Sequence, residues 1–140
     1  MGKMSPVVHF EMPAENTKRM ADFYTKVFGW QTQVMGADMG NYVVVITSEP
    51  DSNGRPKTPG TINGGFYPKQ ESASPNPSVV IAVYDIHESM KMITGSGGKT
   101  IGEPVNIPNV GWWVSFTDTE GNRSSILQPS MEMTDNKKEG

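Results

Sequence analysis

The sequence predicts an α+β fold made of two βαβββ modules in tandem, and three observations carry that expectation. The order strand, helix, three strands occurs twice along the 140 residues. The landmarks of the two helical segments superpose at one constant offset: Asn16 on Asp85, Ala21 on Met90, Tyr24 on Ile93 and Gly29 on Gly98. Between the repeats runs "PKQESASPNP", polar, proline-rich and without periodicity, which reads as a linker. A βαβββ unit has a sheet with one face covered by its helix and the other bare. Two such units can bury their bare faces against each other and leave a cleft of mixed sheets, with the helices outside.

The elements follow in order. In "VVHFEM" strand alternation puts His9 and Glu11 on one face and Val8, Phe10 and Met12 on the other. "NTKRMADFYTKVFGW" reads as a helix: Asn16 is a good N-cap, Met20, Phe23, Tyr24 and Val27 fall at helical spacing, and Gly29 suits the stop. Two short strands are expected over residues 31–35 and 41–47, then the loop "SEPDSNGRPKTPG" and the strand "TINGGFY". In the second repeat "SVVIAVY" is a strand. "DIHESMKMITGSGG" is a helix with Asp85 as N-cap, Met90 and Ile93 on its apolar face and Gly97–Gly98 as its stop. "KTIGEPV", "GWWVSFTD" and "SSILQP" are the remaining strands, with the turn "TEGN" before the last. The expected division is one domain over 5–129, with module one at 5–67, a linker at 68–77 and module two at 78–129, followed by a flexible polar tail at 130–140.

Composition excludes several functions. There is no cysteine, so disulfides, thiolate metal sites and cysteine nucleophiles are absent. The net charge is −3 and no basic stripe occurs, so no nucleic-acid partner is expected. No apolar stretch approaches a membrane span and the polar N-terminus lacks a signal-peptide core, so the expectation is a cytoplasmic protein without a membrane partner. No Gly-x-Ser-x-Gly or Ser/His/Asp order supports nucleophilic hydrolysis. "NGG" at 63–65 lacks the strand–loop–helix setting of a phosphate loop; close backbone approach or a bulge accounts for it better.

Taken in order, "HFEMPAENTKRMADFYTKVFGW", "TINGGFYP" and "GGKTIGEPVNIPNVGWWVSFTDTEGN" with the strand after it resemble the vicinal oxygen chelate superfamily. That superfamily includes glyoxalases, ring-cleaving dioxygenases and bleomycin-resistance and other antibiotic-resistance proteins. The resemblance spans nearly all of residues 7–129 and is strongest to the glyoxalase-like branch. It implies a ligand cleft lined by the concave sheets and a homodimer.

In metal-using members each module supplies one ligand from its first strand and one from its last, and the ion holds two vicinal substrate oxygens as a Lewis acid. By the resemblance, His9 matches the first of these positions. The equivalent in module two falls near Val79, in a strand with no His, Glu or Asp. The last strand of module one, around Ile62 to Phe66, offers Asn and Gly but no carboxylate, and the last strand of module two has Ser125 where members carry Glu. Glu11 shares the face of His9 and is a second donor; His87, the only other histidine, sits on the first turn of a helix. No metal site is therefore expected, His9 being the only matching position, and a bound Zn, Ni, Mn or Fe is disfavoured.

The expected ligand-binding residues are His9, Glu11, Tyr67, Trp113, Ser115 and Ser125; no catalytic residue is assigned. In "GWWVSF" Trp112, Val114 and Phe116 alternate against Trp113 and Ser115, and the second set is assigned to the cleft, where a tryptophan can stack on flat or cationic ligands. The favoured function is metal-free binding of a small molecule. The alternatives are a metal-dependent lyase, isomerase or ring-cleaving dioxygenase with an atypical site, and a protein-interaction or regulatory module. Fold alone does not choose among them.

Overall fold

The computed structural model describes residues 4–130. Residues 131–140, most of the expected tail, lie outside the described residues. The chain divides into two compact units, one of residues 8–78 and one of residues 4–7 with 79–130.

The first unit contains β1 (Val7–Ala14, whose first residue clusters with the second unit), α1 (Thr17–Phe28), β2 (Gln31–Val34), a 3-10 turn (Ala37–Met39), β3 (Val43–Ile46) and β4 (Asn63–Pro68). Its strands lie in the order β2-β3-β4-β1, with β1 parallel to β4 and the other neighbours antiparallel. Helix α1 begins where expected. The Asn16 side chain accepts from the Arg19 N–H at 2.9 Å, and Gly29 closes the helix at φ 76. A left-handed C-cap of this kind is open to glycine without the steric cost a Cβ brings. Replacing Asn16 with Ala is expected to cost about 1 kcal/mol, because one orphan N–H loses its acceptor. Urea denaturation of Asn16→Ala checks this, and an unchanged midpoint would contradict it.

The core of this unit is Ala21, Val43, Val45 and Phe66, with Phe10, Met12, Met20, Tyr24 and Trp30 packed around it. The apolar face of α1 is narrower than its sequence spacing implies. Met20 and Tyr24 reach the core, but Phe23 and Val27 stay half exposed at 52% and 54%. They lie on the flank of the helix, where Phe23 packs edge-on against Tyr24 at 5.0 Å between ring centroids.

The second unit contains β5 (Ser78–Ala82, whose first residue falls in the first unit), α2 (Ile86–Gly95), β6 (Lys99–Ile107), β7 (Gly111–Thr117) and β8 (Arg123–Pro129). Its strands lie in the order β5-β8-β7-β6, with β5 parallel to β8. Asp85 caps α2 by accepting from the Glu88 N–H at 3.0 Å. The helix ends at Gly95 with Ser96 as its C-cap, two residues before the expected Gly97–Gly98 stop. The core here is Val83, Ile86, Val114 and Ile126, with Ile81, Met90, Ile93 and Phe116 around it. The β7–β8 turn is tied by Asp118, which accepts from the N–H groups of Glu120 and Asn122. Among the described residues no helix is long and apolar enough to cross a membrane.

Candidate functional site

Alternation along β1 sends Phe10 and Met12 into the core beside α1, so His9 and Glu11 take the opposite face. The parallel register of β1 and β4 pairs His9 with Asn63, Glu11 with Gly65 and Pro13 with Tyr67. Asn63, Gly65 and Tyr67 therefore share that face. Strand β3 adds Val44 beside Gly65. Tyr42, just before β3, joins the same face because its neighbour Val43 is fully buried on the other.

Tyr42 is the residue that sequence reasoning missed, and it organises the site. Its phenol donates to Glu11 Oε2 at 3.1 Å, and its oxygen lies 3.1 Å from His9 Nε2. A phenol has one proton. With that proton directed at Glu11, the imidazole Nε2 carries a hydrogen and donates it to the phenol oxygen. Gly65 makes the arrangement possible, since a Cβ there would collide with the Tyr42 phenol oxygen and Cζ. On the helix side Gly64 makes the same allowance for the Phe10 ring. "NGG" is thus a place of close approach, as expected, but the approaching groups are two aromatic rings rather than backbone. The β1–β4 register runs through it without a bulge. The available signal was a pair of glycines in a strand near an aromatic that begins the preceding strand.

Burial sets the electrostatics of this triad. Desolvation disfavours the charged form of each group. It pushes the His9 imidazole down to about 4, so the ring is neutral near pH 7. It raises the Glu11 carboxyl above its ordinary value, and the Tyr42 hydrogen bond opposes part of that rise. The Tyr42 phenol is held above its ordinary value by burial and then by the Glu11 charge.

Tyr67 shares the face, but its hydroxyl donates to the Ser74 carbonyl at 2.7 Å and so ties down the segment after β4. In the second unit Ser115 and Ser125 pair directly across β7 and β8 and are buried, as residues opposite each other on one face. Trp113 pairs with Leu127 on the same face, while Val114 and Phe116 pack on the α2 side and Trp112 is exposed. Ser115 Oγ donates to the Ser124 carbonyl at 3.2 Å and accepts from Arg123 Nε at 3.0 Å. The indole N–H of Trp113 is buried and has no hydrogen-bond partner among the described residues. The structure thus joins His9 and Glu11 through Tyr42 in one unit, and places Trp113, Ser115 and Ser125 on one sheet face of the other.

These residues do not fit the divalent centre that metal-using relatives carry. Such a centre takes three or four nitrogen and oxygen donors at about 2.0–2.2 Å. Among the described residues no group of three or more His, Asp or Glu converges. Ile81 and Val83 pack with the α2 core, so by alternation the β5 residue equivalent in face to His9 is Val80, not Val79. Neither is a ligand. His87 is exposed on α2. Between His9 and Glu11 stands a phenol oxygen.

The family model for the Glyoxalase/Bleomycin resistance protein/Dioxygenase superfamily matches residues 7–126. The chain belongs to this superfamily. The resemblance read from the sequence is borne out, and with it the α+β fold class. A glyoxylase-like domain-containing protein of Didymella fabae is 28% identical over 123 residues, covering 83% of this chain and 88% of that protein. A hypothetical protein from Bacillus halodurans C-125 superposes with a TM-score of 0.66 at 12% identity, over 93% of this chain and 98% of that one. A variant of Streptomyces coelicolor methylmalonyl-CoA epimerase, in complex with 2-nitronate-propionyl-CoA, superposes with a TM-score of 0.65 at 12% identity, over 92% and 100%. At these identities the structural likeness extends to the fold of the glyoxalase superfamily and no further.

Proposed function

We propose that this glyoxalase-superfamily protein binds a small molecule without a metal ion, on the sheet face that carries His9, Glu11 and Tyr42. The observation that carries this reading is the Tyr42 phenol, seated on Gly65 and hydrogen-bonded to both His9 and Glu11. An oxygen in that position gives the two side chains the partner that a cation would otherwise be. It also leaves a part-buried polar group, of the kind that fixes a ligand's orientation, on this face. In the second unit, taken by itself, the buried Trp113 N–H is a donor with no acceptor among the described residues, where a buried donor almost always has one. Tyr67 would contribute packing more than polar contact, since its hydroxyl is already committed. A homodimer, which the resemblance implies, belongs to this proposal.

Elemental analysis of purified, tag-free protein beside His9→Ala tests the metal-free part. The expected result is no stoichiometric zinc, nickel, manganese or iron in either protein, before or after chelator. Stoichiometric metal that disappears in His9→Ala would overturn the reading and turn attention to a metal-dependent lyase or dioxygenase.

A further inference from the structure

We infer that the His9–Tyr42–Glu11 face takes a ligand that presents hydrogen-bond donors, such as an amine, amidine or guanidine, rather than the acceptor oxygens a metal centre chelates. The inference rests on the small-molecule role proposed above and adds the chemistry of the ligand.

Counting protons leads to it. The phenol hydrogen bond to Glu11 favours its carboxylate form, and with His9 neutral the triad in that form has two donor hydrogens, one on the phenol and one on the imidazole. The phenol hydrogen goes to Glu11 Oε2, and the imidazole hydrogen goes to the phenol oxygen. What the three groups have left is acceptor capacity: the Nδ1 lone pair of His9, a second lone pair on the phenol oxygen, and the remaining lone pairs of the Glu11 carboxylate. A metal at this place would be an electrophile and would draw substrate oxygens to itself. The triad has the opposite polarity. It repels an acceptor-only group such as a carboxylate or a 1,2-dicarbonyl, and it rewards N–H or O–H.

The neighbours on this face bring amide groups but no cation. Gly65 and Val44 bring no side-chain donor. Asn63, the register partner of His9, accepts from the Thr47 N–H at 3.1 Å and keeps its amide NH2 as a donor, as do Gln31 and Gln33, which β2 pairs onto the same face farther from the triad. The side chains that strand alternation brings here, from His9 and Glu11 on β1 to Gln31 and Gln33 on β2, include no Lys or Arg. The lysines Lys18, Lys57 and Lys69 pair at the surface with Asp22, Glu49 and Glu15. The Glu11 carboxylate therefore finds its compensating positive charge most readily in a ligand, and a partly buried carboxylate strengthens a charge-assisted donor that reaches it.

Benzamidine and benzoate test this on the full chain. They share one flat ring and differ in whether the polar end donates or accepts. Binding is measured by calorimetric titration, and its location by the His9 ring resonances in NMR. Benzamidine is expected to move those resonances and to bind at least about tenfold more tightly than benzoate, with Glu11→Gln removing the preference. Benzoate binding as tightly as benzamidine at the same resonances would overturn the donor inference and leave the small-molecule reading standing. Benzamidine binding that leaves the His9 ring unmoved would also overturn it. Binding of neither probe would count against both. Should Glu11→Gln fail to fold, the comparison of the two probes on the unsubstituted protein still decides.

Discussion

Acidification from pH 6.5 to pH 4 is expected to remove about 3 kcal/mol of folding stability through His9 alone. In the unfolded chain this imidazole titrates at its ordinary 6.5, whereas in the folded protein burial holds it down to about 4. Between those values the unfolded state binds the proton and the folded state does not, so stability falls as pH falls. The loss begins near pH 6.5 and is complete below about pH 4, at about 1.4 kcal/mol for each pH unit that separates the two values. Glu11 acts with the opposite sign. Its folded carboxyl is raised, so the destabilisation it brings is present at neutral pH and is relieved as pH falls through its folded value. The two effects overlap on the acid side, which is why the comparison needs variants. In His9→Asn the acid-side loss should shrink by most of its His9 share. In Glu11→Gln the full His9 slope should appear undisguised. Urea denaturation at pH 4, 5, 6 and 7 gives the three curves, and wild-type and His9→Asn curves that run parallel would refute the assignment. The exposed Asp51 and Asp118, whose carboxyls are held low by hydrogen bonds to nearby residues, cancel in the comparison.

A side chain at position 65 is expected to cost on the order of 3 kcal/mol and to dismantle the triad. A Cβ on Gly65 meets the Tyr42 phenol oxygen and Cζ, the far end of a side chain that can swing away. Swinging away relieves the overlap but leaves His9 Nε2 and Glu11 Oε2 without their shared partner in a partly buried place. The cost therefore combines overpacking with unsatisfied polar groups. Because the two residues act on each other, Gly65→Ala and Tyr42→Ala should not add. With the ring gone the Cβ has room, and the cost of Gly65→Ala should fall to about 1 kcal/mol or less in the Tyr42→Ala background. Equal costs in both backgrounds would show that Gly65 serves something other than the Tyr42 ring. A second readout separates loss of the triad from loss of packing alone, since the His9 ring should titrate closer to its ordinary value once the site opens.

Much of this protein is legible in the chain itself, because the features concerned are local. Asn16 and Asp85 cap their helices through bonds spanning three residues, and Gly29 closes α1 through its own φ. The alternation of His9 and Glu11 against Phe10 and Met12, or of Trp113 and Ser115 against Val114 and Phe116, follows from strand geometry before any partner strand is known. The repeated order of elements and the superfamily resemblance rest on such local patterns. Tertiary structure alone decided the rest. Tyr42 is 33 residues from His9 and 31 from Glu11, and only the register of β3 on β4 and of β4 on β1 brings its hydroxyl between them. The role of Gly65 depends on a ring approaching from another strand, and a glycine in a sequence does not name what approaches it. Likewise Phe23 and Val27 keep perfect helical spacing yet stay half exposed, because which part of the helix is covered is settled only when α1 packs on its sheet. Short-range geometry is written residue by residue, whereas the chemistry of this face comes from three side chains that meet only once the sheet has formed.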